Sequence, residues 1–348
     1  MTCKRIFIKL LMVGLFAILL LAILLIFNKR LLSKNHPVDA DVLVIEGWLP
    51  PYVLELIPQK IDLSNYKTIF VTGLIHNNRP EFNDSRYEID ELPAALLTNG
   101  CVCLSKSALK KLNPENTINE IKVYTYGSKA KNIFAHFFCA VGDSILGQAF
   151  ATKQQSTYTF RTGLSLSATH NLSISLTNDL NSSREDRNLF IDSVSINGIA
   201  FNRPSDFCLL YDDHVNNDST INYPFHSKSE AAAAYLKALG IKNNIVTVDS
   251  FYNYRNRTLV TAKRFDSYIK KYDPNLKAFN VVSVQRHSRR SYLAYKIATS
   301  GKIKVGILSF DSIGLNRQTR PLAWLRYILL EYAKIFVMSF ENLYLTLI

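Results

Sequence analysis

The stretch Asn280–Ser291, NVVSVQRHSRRS, runs an apolar segment directly into His287, Arg289 and Arg290. An imidazole titrates near neutral pH and serves as acid or base, while guanidinium groups offer forked donors that match phosphate or carboxylate. Grouped this closely, the three suit an anionic ligand. The competing reading is a solvated basic loop in which His287 only caps a helix and the arginines face water. If a helix starts at Ser288, neighbouring positions lie about 100° apart, so one arginine points into a crevice and the other out.

The elements that must position these groups are short β-branched runs. Val42–Ile45 stops at Glu46-Gly47-Trp48, Thr68–Val71 at Thr72-Gly73, Asn244–Val248 at Asp249-Ser250, Val281–Val284 at the basic cluster and Val305–Ser309 at Phe310-Asp311. Continuous apolar runs of this kind are expected of parallel strands covered on both faces. Helical patterns lie between them. Ser229–Leu239 closes on Gly240, and Thr258–Lys271 puts Leu259, Ala262, Phe265 and Ile269 on one face behind a Thr N-cap. The alternation predicts an α/β fold, a doubly wound parallel sheet with helices on both faces.

Ligands of such sheets bind at the carboxyl ends of the strands. The candidate catalytic residues are therefore His287 and Glu46, the latter a general base or an arginine's partner. Gly47, Thr72, Gly73, Arg257, Thr258, Arg289 and Arg290 are the candidate ligand-binding residues. No nucleophile is flanked by a base and an orienter, and no G-x-S-x-G elbow occurs, so the residues name no reaction.

From about Glu120 to Asn202 the period changes to two, in Ile121-Val123, Tyr158-Phe160, Leu172-Ile174-Leu176 and Val194-Ile196, with Gly, Asn, Asp and Ser turns between. This predicts an antiparallel β-sandwich inserted into the α/β domain, bounded by the linkers LNPENTIN and YDDHVNNDSTINYP. The expected organisation is an anchor at 1–35, the two halves of the α/β domain at 36–117 and 204–348, and the insert at 118–203.

The anchor is Leu10–Phe27, an uncharged run of 18 residues flanked by Lys4, Arg5 and Lys9 and by Lys29 and Arg30. It is long enough to span a bilayer, and no small-x-small cleavage site follows. A short N-terminal tail favours a single pass of the inner membrane with the body outside the cytoplasm, in the periplasm. The later run PLAWLRYILLEYAKIFVMSF is broken by Arg326, Glu331 and Lys334, so a core helix is expected rather than a second span. The net charge of +13 favours an anionic partner, but the basic residues form no stripe interleaved with aromatics and there is no zinc-finger or helix-turn-helix spacing, which excludes the usual nucleic-acid binders. Cys101, Cys103, Cys139 and Cys208 are either disulfide formers in an exported body or buried small hydrophobes.

Two resemblances follow. The segments VLVIEGWLP, IFVTG, EAAAAYLKALGI, RNRTLVTAKRF, NVVSVQRHSRRSYLAY, VGILSF and WLRYILLEYAK, in this order, resemble the SanA/ElyC/YdcF-like envelope family. This resemblance implies a Rossmann-like fold, frequently on an N-terminal anchor, with links to envelope polysaccharide or lipid-carrier metabolism. The chain departs from relatives at Leu74-Ile75-His76, where further glycines are common, and at Ser288, where alanine is usual. The insert, through LSISLTNDLNSSREDRNLFIDSVSING and VYTYGSKA, is similar to calcium-dependent xylan-binding carbohydrate-binding modules. In that family calcium contacts sugar hydroxyls directly, which suits a hard cation that prefers oxygen ligands. The resemblance makes Asp179 and Asp186 the leading metal ligands, with Glu185 and Asp192 behind them. On a plain reading Asn178, Asp179 and Asn181 are turn formers, and Asp186 and Arg187 form a structural pair.

The expectation is a membrane-anchored envelope protein. Its α/β domain would bind, with or without transforming it, an anionic envelope polysaccharide or lipid-carrier precursor, and its insert would hold a glycan with calcium. The alternatives are a non-catalytic glycan-binding tether and a protein that binds a nucleotide or methyl-donor cofactor.

Overall fold

The computed structural model describes residues 12, 15, 32–75, 87–89, 91–97, 99–112, 117–166, 171–181, 185–211, 225–251, 256–285, 287–311 and 321–347. Most of the Leu10–Phe27 run, His76, Arg286 and the linker from 212 to 224 lie outside them. The chain divides into two compact units. One comprises Met1–Leu49, Asp62–Gly73 and Asn243–Ile348; the other comprises Pro50–Ile61 and Leu74–Lys242.

The first unit is built on β1 (Val42–Glu46), β2 (Thr68–Leu74), β13 (Asn244–Ser250), β14 (Ala278–Val284) and β15 (Lys304–Phe310). They form one sheet in the order β13-β2-β1-β14-β15. The β1–β2, β1–β14 and β14–β15 pairings are parallel. β1 and the last six residues of β14 are buried throughout, as strands covered on both faces must be. Counting from β1, chain order runs outward to β13 on one side and to β15 on the other. The order therefore reverses between β1 and β14, the position where open α/β sheets form a crevice.

Three helices belong to this unit: α3 (Arg257–Tyr272), α4 (His287–Ala298) and α5 (Pro321–Leu347). The apolar face expected on α3 is present, with Leu259, Ala262, Phe265 and Ile269 buried. The cap is not Thr258. The helix begins at Arg257, and Asn256, in the left-handed region at φ 53°, occupies the cap position, leaving Thr258 inside the first turn. α4 likewise starts one residue early, at His287 itself. A buried asparagine fastens the segment before β1. Asn280 accepts from Val38 N and donates to Val38 O, each at 2.8 Å. The side chain lies where Gly306 has no Cβ; one added there would stand 1.9 Å from Asn280 Oδ1.

The second unit is an antiparallel sandwich. One sheet follows the order β7-β6-β9-β4-β12, from Ser144–Phe150, His136–Val141, Leu172–Leu176, Gly100–Leu104 and Phe207–Tyr211, and continues to the pair Tyr87–Glu88. The other follows β8-β5-β10-β11, from Ser156–Arg161, Glu120–Gly127, Leu189–Ile196 and Ile199–Phe201, with β3 (Ala94–Leu96) also paired to β10. Side chains of both sheets, among them Val102, Val123, Phe137, Ile174 and Ile191, share one core. The sandwich therefore extends beyond 118–203: β3, β4 and β12 lie outside that range and are hydrogen-bonded into both sheets. Cys101, Cys103, Cys139 and Cys208 are buried free thiols.

Helices α1 (Pro51–Lys60) and α2 (Lys228–Ala238) also belong to this unit. Ser227 caps α2 by accepting from Glu230 N. The unit is tied together by Arg187, whose guanidinium is wholly buried. All five of its N–H donors are used: two on the Glu55 carboxylate of α1 at 2.7 and 3.3 Å, and the others on the carbonyls of Asn178, Ala130 and Ile133. Tyr235 of α2 donates to Glu55 at 2.6 Å and accepts from Asn178 Nδ2. Burial, aided by the Glu55 charge, pushes the phenol well above its ordinary value and keeps it a donor. The structural partner of Arg187 is thus Glu55, not Asp186. Removing one member of a buried pair leaves an uncompensated charge, so Arg187→Met should cost about 3–5 kcal/mol in chemical unfolding. The double variant Arg187→Met, Glu55→Leu should recover much of that loss.

Candidate functional site

Glu46 ends β1 and lies opposite Thr72 of β2 in the ladder. On the other side of β1, the chain leaves β14 through Gln285, at φ 26°, and enters α4 at His287. The two candidate catalytic residues are thus brought together at adjacent strand ends, with His287 Nε2 3.9 Å from Glu46 Oε1. On its far side, His287 Nδ1 stands 3.8 Å from Glu331 Oε2 of α5. At these distances the imidazole lies between two carboxylates without hydrogen-bonding to either. His287, Glu46 and Glu331 are all buried, and the edge of the Trp48 ring packs against the imidazole with centroids 4.4 Å apart.

The Glu46 carboxylate is held from α4, by Ser291 Oγ at 2.9 Å from each oxygen. Ser291 has a single hydroxyl proton, so Ser283, 3.0 Å away, must supply the hydrogen of their mutual contact. The result is a short relay from Ser283 through Ser291 to Glu46, buried throughout.

Glu331 and Lys334 carry the charge pattern that the sequence reading missed. Arg290 Nη1 lies 3.1 Å from Glu331 Oε1, and Lys334 Nζ lies 3.7 Å from the same oxygen. Burial alone would raise the Glu331 carboxyl, but contact with His287 and the charges of Arg290 and Lys334 hold it below its ordinary value. Lys334 is pushed down by burial and by the positive charges of Arg290 and Arg257. Two cations, from α4 and α5, therefore meet at one carboxylate, and Arg257 of α3 acts on Lys334. The available signal was the presence of charges in an otherwise apolar helix, which had been read only as arguing against a membrane span.

Other expected ligand residues face inward. Gly47 N donates to Thr72 O at 2.7 Å, and the Thr72 hydroxyl pairs with Tyr295 OH at 2.9 Å. Gly73 O accepts from Ser250. Neither the Gly47 N–H nor the Thr72 hydroxyl is left open to cradle a phosphate. Arg289 is half-buried at the start of α4.

In the second unit, the four expected metal ligands separate. Asp186 pairs with Asn181 across the two-residue ladder in which Leu180 pairs with Arg187, so Asp179 lies one step beyond that ladder. Asp186 Oδ2 accepts from Asn188, while Asp186 Oδ1 and Asn188 Oδ1 are buried without a hydrogen-bond partner. Unpartnered carboxylate and amide oxygens have the chemistry that calcium takes. Asp186 and Asn188 thus fit such an ion. Glu185 instead accepts from Lys131 N, and Asp192, at the bulge of β10, accepts from Gln155 and Ser193. Among the described residues no three His, Cys, Asp or Glu side chains converge on a metal position.

Residues 120–206 match the calcium-dependent, xylan-binding carbohydrate-binding modules of family CBM60. Among solved structures, the chain is similar to a selenomethionine form of a CBM60 module, at 22% identity over 24% of this chain and 60% of that one, with a TM-score of 0.19. The chain thus spans somewhat over half the length of that relative. It is similar to a CBM36 module in complex with calcium and xylotriose, at 19% identity over 29% of this chain and 77% of that one, TM-score 0.20. It is also similar to a family two carbohydrate esterase from Clostridium thermocellum in complex with cellohexaose, at 10% identity over 62% of this chain and 74% of that one, TM-score 0.20. Among curated proteins none matches the chain.

The surroundings of His287 make a prediction with a definite sign. Burial, then the Arg290 charge, hold its pKa below the ordinary 6.5, while Glu46 and Glu331 oppose this. The ring is therefore neutral at pH 7. The unfolded chain binds this proton more readily than the folded one, so the stability its burial contributes is present above about pH 6.5 and lost as pH falls. In ring-resolved NMR titrations the midpoint should lie below 6.5, rise in Arg290→Met and fall further in Glu331→Gln.

Proposed function

We propose that this is a glycan-binding protein of the cell envelope, held by residues 10–27 in the inner membrane with its body in the periplasm. Its module at 120–206 takes a polysaccharide through a calcium ion on Asp179, Asp186 and Asn188. The match of 120–206 to a calcium-dependent, xylan-binding family carries this reading. The buried, unpartnered oxygens of Asp186 and Asn188 support it from the structure. Calcium, when bound, supplies a Lewis acid that sugar hydroxyls can ligate in place of water.

In the first unit, the parallel sheet with reversal at β1 and β14 supports the SanA/ElyC/YdcF-like, Rossmann-like reading. Its crevice binds the anionic end of an envelope polysaccharide or lipid-carrier precursor. The observation favouring an anion is that Arg290 and Lys334 come together on one carboxylate oxygen of Glu331, at 3.1 and 3.7 Å, two cations against one anion. Arg290 is paired with Glu331, so an incoming phosphate or carboxylate displaces or shares that contact. His287 and Glu46 stand beside this place with a proton relay behind them. The tether reading needs only the module; the cofactor reading is weakened because the Gly47 N–H is already bonded to Thr72.

Excising 118–203 cannot separate these readings, since it would remove the ladder partners of β3 and β4; point variants can. With free calcium at about 100 times its dissociation constant, the full chain should gain about 2.7 kcal/mol over chelator. That gain, together with calcium-dependent retardation on xylan gels, should vanish in Asp186→Ala. Thermal scans identical with calcium and with chelator would refute the metal-dependent module. Stabilisation by inorganic phosphate that is lost in Arg290→Met but kept in Asp186→Ala would place the anion in the first unit.

A further inference from the structure

α5 is apolar on two opposite sides. One side faces its own unit: Trp324 and Ile328 are buried with Leu32, and Met338 joins the core that covers the parallel sheet. The other side faces outward, with Leu322 81%, Phe336 71%, Phe340 60%, Val337 47%, Leu330 46% and Leu329 41% exposed. At about 100° per residue these six fall within an arc of roughly 120°, centred opposite the buried side. A helix apolar all round ordinarily lies in a core or in lipid.

Two observations choose the occupant. The uncharged run ends at Phe27, and Leu32, five residues on, is buried against Trp324 and Ile328. Five residues reach roughly 17 Å at most, so the start of α5 is tethered to within about that distance of the end of the run. Glu331 is buried and draws Lys334 toward the inner side, while Arg326 is exposed within the outward arc. An outward face of aliphatic and aromatic side chains with the Arg326 guanidinium among them suits anionic headgroups over acyl chains.

We infer that α5 is an interfacial helix, its outward stripe seated at the headgroup–acyl boundary of the bilayer that holds residues 10–27. The inference rests on the anchor reading of the preceding subsection. Its test uses the full chain in vesicles of phosphatidylcholine and phosphatidylglycerol, unbrominated or brominated on the acyl chains. Tryptophan emission is compared for Phe336→Trp, Phe340→Trp, the exposed control Lys296→Trp and the unsubstituted chain. The expected result is strong additional quenching by brominated lipid for Phe336→Trp and Phe340→Trp and none for Lys296→Trp. If the chain floats with the vesicles but the α5 tryptophans are quenched no more than the control, the interfacial helix is overturned and the anchor stands. Unquenched α5 tryptophans whose emission changes with protein concentration assign the stripe to a second copy of the chain and likewise overturn it. A chain that does not float at all removes the anchor reading and this inference with it.

Discussion

A guanidinium cannot be buried without partners, and the second unit is organised around this constraint at Arg187. The group sits where the hairpin carbonyls of Ala130 and Ile133, the carbonyl of Asn178 and the Glu55 carboxylate of α1 converge. Tyr235 adds α2 to the same knot. Each partner comes from a different part of the chain, so the charge is satisfied only when the sandwich and both helices are in place. An apolar residue would tolerate many packings; the forked donors of arginine tolerate few. The loop that carries Asp179, Asp186 and Asn188 is anchored by this knot through Asn178 and Arg187, which gives its oxygens a fixed support.

The first unit meets a related constraint differently. Glu46, His287 and Glu331 are buried together, and the carboxylates are stabilised by unlike means: a hydroxyl relay for Glu46, cations for Glu331. The imidazole between them gains little from either, because burial and Arg290 outweigh both. The imidazole is thus buried next to two cations, and the residues themselves name no reaction.

The sequence showed the parallel sheet because its strands are buried on both faces and read as continuous apolar runs. The same physics hid part of the sandwich. β4 and β6 are buried on both sides and lack the period-two signal, whereas β5 alternates throughout and was recognised. His287, Arg289, Arg290 and Glu46 were legible because each lies at the end of a recognisable strand. Glu331 and Lys334 were not, since nothing local to α5 reveals which side of it turns toward His287. The Arg187–Glu55 pair, 132 residues apart in the chain, is likewise a product of tertiary structure alone. Thr258 has no capping role because a left-handed Asn256, two residues earlier, takes the cap position, a conformation asparagine adopts more readily than most.

α5 connects these threads. Glu331 and Lys334 share it with the outward stripe, and a helix is stiff over the few turns that separate them. A shift or rotation of α5 would change the Glu331–His287 separation and the Arg290–Glu331 contact together. The Glu331 carboxylate, 3.8 Å from the ring, raises the proton affinity of His287, so a displacement of even one ångström would change its effect on the imidazole. The position of α5 is therefore itself a determinant of the proton affinity of His287.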